Sequence, residues 1–298
     1  MEFVRPGTKI DFIGIRRHAF ILSALVIGAA IISIVFHGGL NYGIDFAGGT
    51  LVQVKFSEPT QVEKVKESLA SIGLGESLVQ RFGEKRGNEY LIRVEKSVSD
   101  LEGLSGQIER TLQEAYGKDG VEVRRTEMVG PKVGKDLRKK GILAIVYALI
   151  GILIYVTWRF EFIFAVGAII ALAHDVMITV GAFSITNKEF TLPIVAAILT
   201  IIGYSLNDTI VVYDRIRENG RKMRREPYAK VINSSINETL SRTILTSLTT
   251  LIVVLILFIF GGGVIHNFAF ALMVGVLVGT YSSIFVASPI ILTWQKRR

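Results

Sequence analysis

Asp208 lies inside an apolar run, Leu192 to Val212, of a chain that otherwise keeps its charges near the ends of such runs. A carboxylate at membrane depth costs about 2.5–3.5 kcal/mol on insertion scales, so its retention points to ion or proton handling. Tyr204 and Ser205 precede it by four and three positions, on the same helical face, and Asn207 is its neighbour. The chemistry these residues offer is reversible protonation of an acid shielded from bulk water. A side chain needed only for packing would be a hydroxyl or an amide, which is cheaper to bury.

Depth selects the partners. The fourth span starts near Thr191, which places Asp208 about 25 Å along it at about 1.5 Å per residue. The fifth starts near Thr243, so Arg242 reaches the same level. Asp175, beside His174 on the third span, comes out roughly 10 Å away in depth. An Asp208–Arg242 ion pair is therefore expected, and a close Asp208–Asp175 dyad is not. From position alone, Arg242 could equally snorkel to headgroups. Thr239, Thr243, Thr246 and Thr250, with Ser247, make a polar stripe that reads as a hydrated path or as small-residue helix packing. His174–Asp175 reads as an outward extension of a proton relay or as a packing hydrogen bond. The candidate proton-conduction set is Asp208, Arg242, Asn207, Asp175 and Thr246. Asp214, ahead of Arg215 and Arg217, is read as a membrane-boundary salt-bridge group. No catalytic or metal-ligating set is found.

These residues must be held by membrane helices. Of 298 residues, half are hydrophobic and 20% charged, with mean hydropathy +0.46. Six apolar runs are long enough to span a bilayer: Ala19–Phe36, Gly141–Thr157, Phe162–Ile185, Thr191–Tyr213, Thr243–Phe260 and Phe268–Trp294. The first is long for a leader's hydrophobic region and lacks a small-x-small cleavage site, so it is expected as a span. The net charge of +8 gathers at Lys9, Arg16 and Arg17, at Arg159, in a basic loop 214–242, and at Lys296–Arg298. With six spans these segments share one side, which the positive-inside rule makes the cytoplasm, with both termini there. That distribution accounts for the charge without nucleic acid. There is no cysteine, and the four histidines are scattered, which leaves no disulfide and no Cys-ligated zinc.

Three regions follow: 1–36 with the first span, a polar segment 37–138 on the outer side, and 139–298 with five spans. In the polar segment, Thr50–Phe56, Ser77–Phe82, Tyr90–Glu95 and Val121–Val129 alternate as strands. Thr60–Ile72 and Leu101–Tyr116 have helical spacing. The βαββαβ order predicts a ferredoxin-like α+β domain, read as an interaction domain. Gly275-x-x-x-Gly279, with Ala271 and Ser283, forms a small-residue ridge for close helix contact. No nucleotide-binding loop is present, so energy must come from a partner or the membrane gradient. A folded domain after the first of six spans is also the layout of RND-type proton-driven exporters.

Four stretches carry a resemblance over essentially the whole chain: NYGIDFAGGT (41–50), AHDVMITVGAF (173–183), GYSLNDTIVVYDRIREN (203–219) and NETLSRTILTS (237–247). On these the chain resembles the SecD–SecF family of bacterial protein-export membrane proteins. Gly43, Asp45, Gly48 and Gly49 match that family's signature at the start of the outer domain. The resemblance implies an auxiliary role in Sec-dependent export, driven by the proton motive force without ATP or other cofactor. It implies assembly with SecD, work beside the SecYEG channel and YajC on exported unfolded polypeptide, and a place in the bacterial cytoplasmic (inner) membrane, among its lipids. The family's proton-conducting aspartate and arginine map onto Asp208 and Arg242, and a further intramembrane aspartate would come from SecD. Three other readings compete: an RND-type solute antiporter, an intramembrane aspartyl protease using Asp175 and Asp208, and a passive scaffold. The protease reading needs both acids at one depth, and only Tyr213-Asp214 matches half of the usual motif.

Overall fold

The computed structural model describes residues 9–82, 88–94 and 103–295. Most of the turn expected over 83–88, Glu95, Leu101 and the terminal Lys296–Arg298 lie outside the described residues. The contacts divide the chain into a helical unit, 1–41, 143–189 and 193–298, and a smaller unit, 42–142 with 190–192. Against the segment expected over 37–138, residues 37–41 fall in the helical unit and the start of the second span, to Ile142, falls in the smaller one. So does Phe190, whose ring meets those of Tyr42 and Phe46.

Among the described residues, six helices are long and apolar enough to cross a membrane. They are α1 (Arg16–Phe36), α5 (Pro131–Arg159), α6 (Phe162–Ile185), α7 (Leu192–Lys222), α8 (Tyr228–Phe260) and a last span. The last span is α9 (Gly262–Ser282), one π-helical turn (Ser283–Ala287) and α10 (Ser288–Gln295). Pro289 has no N–H to return to the Phe285 carbonyl, and the widened turn absorbs that loss. The Ser288 hydroxyl donates to the Ser283 carbonyl at 2.7 Å. α6, α7 and the last span are the inner helices, whereas α1, α5 and α8 expose Ile32, Phe36, Ile154 and Phe260 on lipid-type surfaces.

The predicted basic loop 214–242 is mostly helix. α7 continues to Lys222 and α8 begins at Tyr228, leaving only residues 223–227 between them. Charge ends the hydropathy signal but not the helix. Lys222 and Lys230 pair with Glu218 and Glu226 one turn back, and Arg215 pairs with Glu218 and Glu238, contacts that favour helix.

The smaller unit contains α2 (Ile44–Ala47), β1 (Gly49–Phe56), α3 (Val62–Ala70), β2 (Leu78–Phe82), β3 (Glu89–Val94), α4 (Leu104–Tyr116) and β4 (Val121–Val129). Its sheet is antiparallel throughout, in the order β2-β3-β1-β4. Val52, Val54 and Phe56, at alternate positions of β1, join Val65 and Leu69 of α3 and Ile108 and Leu112 of α4 in one core. Period-2 and period-3.6 apolar patterns thus meet at a single interface.

The turn α2 was not anticipated, being too short for periodicity to register. It is held by the signature residues. The Asp45 carboxylate accepts from the Leu192 backbone N–H at 2.8 Å, capping the start of α7. Gly43 N–H donates to the Phe190 carbonyl at 3.0 Å. Gly48 has φ +80°, and a Cβ there would lie 2.8 Å from Pro131 Cα, against backbone that cannot yield. Gly48→Ala should therefore destabilise by more than the ~1 kcal/mol usual for strain at positive φ. Asp45→Ala should lose about 1 kcal/mol, the value of a helix cap. The thermal midpoint of the purified chain measures both, and Gly48→Ala should fall further.

Candidate functional site

Two buried acids occupy the helical unit, and their surroundings differ sharply. Asp175 on α6 is 1% exposed and has three donors. His174 Nδ1 lies 2.9 Å from its Oδ1. The hydroxyls of Ser205 (α7) and Ser282 (α9) donate to Oδ2 at 2.5 and 2.8 Å. His174 Nε2 meets the Ser23 hydroxyl of α1 at 3.1 Å, and Ser23 meets Tyr281 OH at 3.1 Å. Tyr281 donates to the Ala19 carbonyl at 2.7 Å, and its ring stacks on that of His174. Gly279 makes this convergence possible: a Cβ there would sit 3.0 Å from that of Ser205. The small-residue ridge thus brings α9 close enough to α7 for both serines to reach one carboxylate.

Asp208, one turn beyond Ser205 on α7, is 3% exposed. Its carboxylate accepts from Ser247 of α8 at 3.5 Å, the outer limit of a hydrogen bond. That hydroxyl is contested. Tyr204 OH donates to it at 3.4 Å, Thr280 Oγ1 of α9 lies 2.6 Å away, and Thr280 has its own acceptor in the Val276 carbonyl at 2.7 Å. Each hydroxyl carries a single proton. If Thr280 keeps Val276, Ser247 donates to Thr280, and Asp208 must bring its own proton to Ser247. If Asp208 is ionised, Ser247 donates to it and Thr280 turns to donate to Ser247, releasing the Val276 carbonyl. The hydroxyls serve either form of the acid by rotating, with no bond to hydrogen broken among them.

The remaining predicted residues are placed differently. Arg242 is exposed and closes no ion pair with Asp208 among the described residues. Depth along a span does not fix azimuth: Arg242 points outward, while Ser247, five residues and about 7.5 Å further along α8, points in and meets Asp208. Asn207 is exposed, about 100° round the helix from Asp208. Thr246 is half-buried and donates back to the Arg242 carbonyl at 2.9 Å. The buried polar face of α8 is instead Thr239, Thr243 and Ser247. Asp214 pairs with Arg159 at 3.1 Å, both about half exposed. Asp175 and Asp208 share no hydrogen bond and use separate partners, so no dyad forms. Ser23, Thr280, Tyr281 and Ser282 escaped notice, though the Thr-Tyr-Ser-Ser run inside the last apolar stretch was a visible signal.

Known proteins resemble this chain along nearly its whole length. Residues 108–297 match the family model "Protein export membrane protein SecD/SecF, C-terminal", and residues 33–60 match the "SecD/SecF GG Motif". A protein translocase subunit SecF of Magnetococcus marinus is 52% identical, over 98% of this chain and 94% of that one. One of Escherichia coli O157:H7 is 41% identical, over 100% and 92%. The crystal structure of SecDF from Thermus thermophilus superposes with a TM-score of 0.87 at 39% identity, covering 98% of this chain and 39% of that one. SecDF in a super-membrane-facing form gives 0.71 at 41% identity, over 100% and 40%. The chain therefore spans about two fifths of the length of the SecDF chains.

Proposed function

This chain belongs to the SecD/SecF family of protein-export membrane proteins, and from that premise we propose that it couples proton uptake at Asp208 to polypeptide export. It is an auxiliary subunit of the Sec translocase, a multi-pass membrane protein that works with SecD. The finer reading is that both termini face the cytoplasm of a bacterial inner membrane. In that reading the sheet domain is ferredoxin-like, as its β2-β3-β1-β4 order supports, and it lies on the outer side, as the positive-inside rule has it. Its clients are unfolded polypeptides leaving the SecYEG channel, with YajC alongside, and the proton gradient is the only energy source.

One observation carries the coupling. Of the two acids buried among the described residues of the helical unit, Asp175 has three close hydrogen-bond partners, whereas Asp208 has one long bond to a hydroxyl whose single proton Thr280 can also take. The first is fixed by its shell. The second exchanges a proton with a donor outside this set while two hydroxyls turn to serve each form, and the turn alters what holds α8 against α9. Arg242 contributes charge at a distance, and a proton from SecD's side completes the path.

The test is polypeptide release from vesicles holding this chain with SecD and the channel, with the gradient intact and collapsed by a protonophore. Equal release in both conditions would remove the coupling. A narrower prediction concerns Thr280. Thr280→Val keeps the shape but removes the group that Ser247 exchanges with, so proton-driven release should fall about tenfold, the equivalent of one net hydrogen bond. Thr280→Ser should restore it, measured in the same vesicles.

A further inference from the structure

The geometry points to a binding site for an anionic phospholipid, one phosphodiester with two acyl chains, at the bundle end where α5, α6, α7 and α8 meet. A cleft of about 1110 Å³ lies there, walled by Phe160, Phe164 and Ile216 and carrying Arg159, Arg217 and Arg221. Arg159 is committed: it pairs with Asp214 and lies 5.0 Å over the Phe160 ring. Arg217 spends one N–H on the Arg159 carbonyl at 3.3 Å, which leaves the rest of its five donors. Arg221, one turn further on the same face, makes no ion pair among the described residues. Like charges at that spacing repel, and the carboxylates that could relieve them are taken. Glu218 serves Arg215 and Lys222, and Glu238 serves Arg215. Glu161 also lines the cleft, so two free guanidiniums face one carboxylate and the net charge is a single positive.

One phosphodiester balances that charge, and guanidinium forks suit its oxygens. The apolar walls separate a lipid from a soluble anion. Phe162, at the cleft's edge, is largely exposed, so the cleft opens onto the surface that spans the bilayer. Acyl chains can continue along it while the headgroup stays at the arginines, as basic pockets between membrane helices hold anionic lipids.

Native mass spectrometry of the full chain in detergent tests this, with phosphatidylglycerol, phosphatidylcholine and deacylated glycerophosphoglycerol as probes. The wild type should retain phosphatidylglycerol about 30-fold over phosphatidylcholine, two arginines' worth of attraction. The double variant R217Q/R221Q should lose that preference, and K222Q, whose charge lies outside the cleft, should keep it. An unchanged preference in the double variant, or an equal loss in K222Q, would overturn the site. Deacylated headgroup binding as well as the lipid would overturn the ligand class, leaving a soluble-anion site.

Discussion

Asp208→Asn should reduce proton-driven polypeptide release to the level seen with the gradient collapsed. One elementary charge crossing the membrane is worth about 2.3 kcal/mol per 100 mV, which corresponds to roughly 50-fold in rate or population at that potential. The substitution changes little else. The asparagine amide fits the same 3%-exposed site, and its N–H can donate to Ser247 as the protonated acid would, so Ser247 goes on donating to Thr280. The hydroxyl chain is then held in one order and cannot answer the gradient. The thermal midpoint of the variant should match that of the wild type, which separates lost coupling from lost fold. Gradient-dependent release that survives the substitution would make Asp208 a packing residue and the chain a passive partner.

How much of this was readable beforehand depended on which physical quantity each feature obeys. The six spans and the alternation of sheet and helix in the smaller unit follow from hydropathy and periodicity, which are local. Val52, Val54 and Phe56 declare a buried strand face without any knowledge of what covers them. Helix ends did not follow, because α7 and α8 run on through charged residues whose ion pairs support them. Asp208 stood out because a lone acid in an apolar run is costly wherever the run is placed. Its partner did not. Arg242 and Ser247 are five residues apart on one helix, about 7.5 Å in rise and about 140° in azimuth, and the packing of α8 against α7 and α9 decides which turns inward. The Asp175 shell was less legible still, since Ser23, Ser205 and Ser282 come from three helices far apart in sequence. Serines are common in membrane helices for packing reasons, so no single one of them signals a shared carboxylate.

Asp175 bears on a choice that the residues alone left open, between a relay member and a structural hub. Asp175→Ala would leave the His174 ring nitrogen and the Ser205 hydroxyl facing a void in the centre of the bundle, while Ser282 could turn to the Gly279 carbonyl. Each buried polar group without a partner costs about 1–3 kcal/mol, so the expected loss is about 2–6 kcal/mol, a large fraction of what holds most folds together. The unfolding midpoint of the detergent-solubilised chain should drop accordingly, or the variant should fail to accumulate. That loss alone would not choose between the readings, because a relay acid can also be structural. Asp175→Asn makes the choice. Its amide oxygen still accepts from two donors, so the fold should survive at a smaller loss, about 1–2 kcal/mol, but the group no longer titrates. The three short bonds to Asp175 hold four helices together, α1 through His174 and Ser23, and α6, α7 and α9 directly. On this geometry the side chain joins helices rather than passing anything between them. Proton-driven release in Asp175→Asn should therefore stay within about twofold of the wild type once protein levels are matched, less than the loss of one net hydrogen bond. A stable Asp175→Asn protein with release abolished would instead place Asp175 on the proton's route, in series with Asp208 through Ser205.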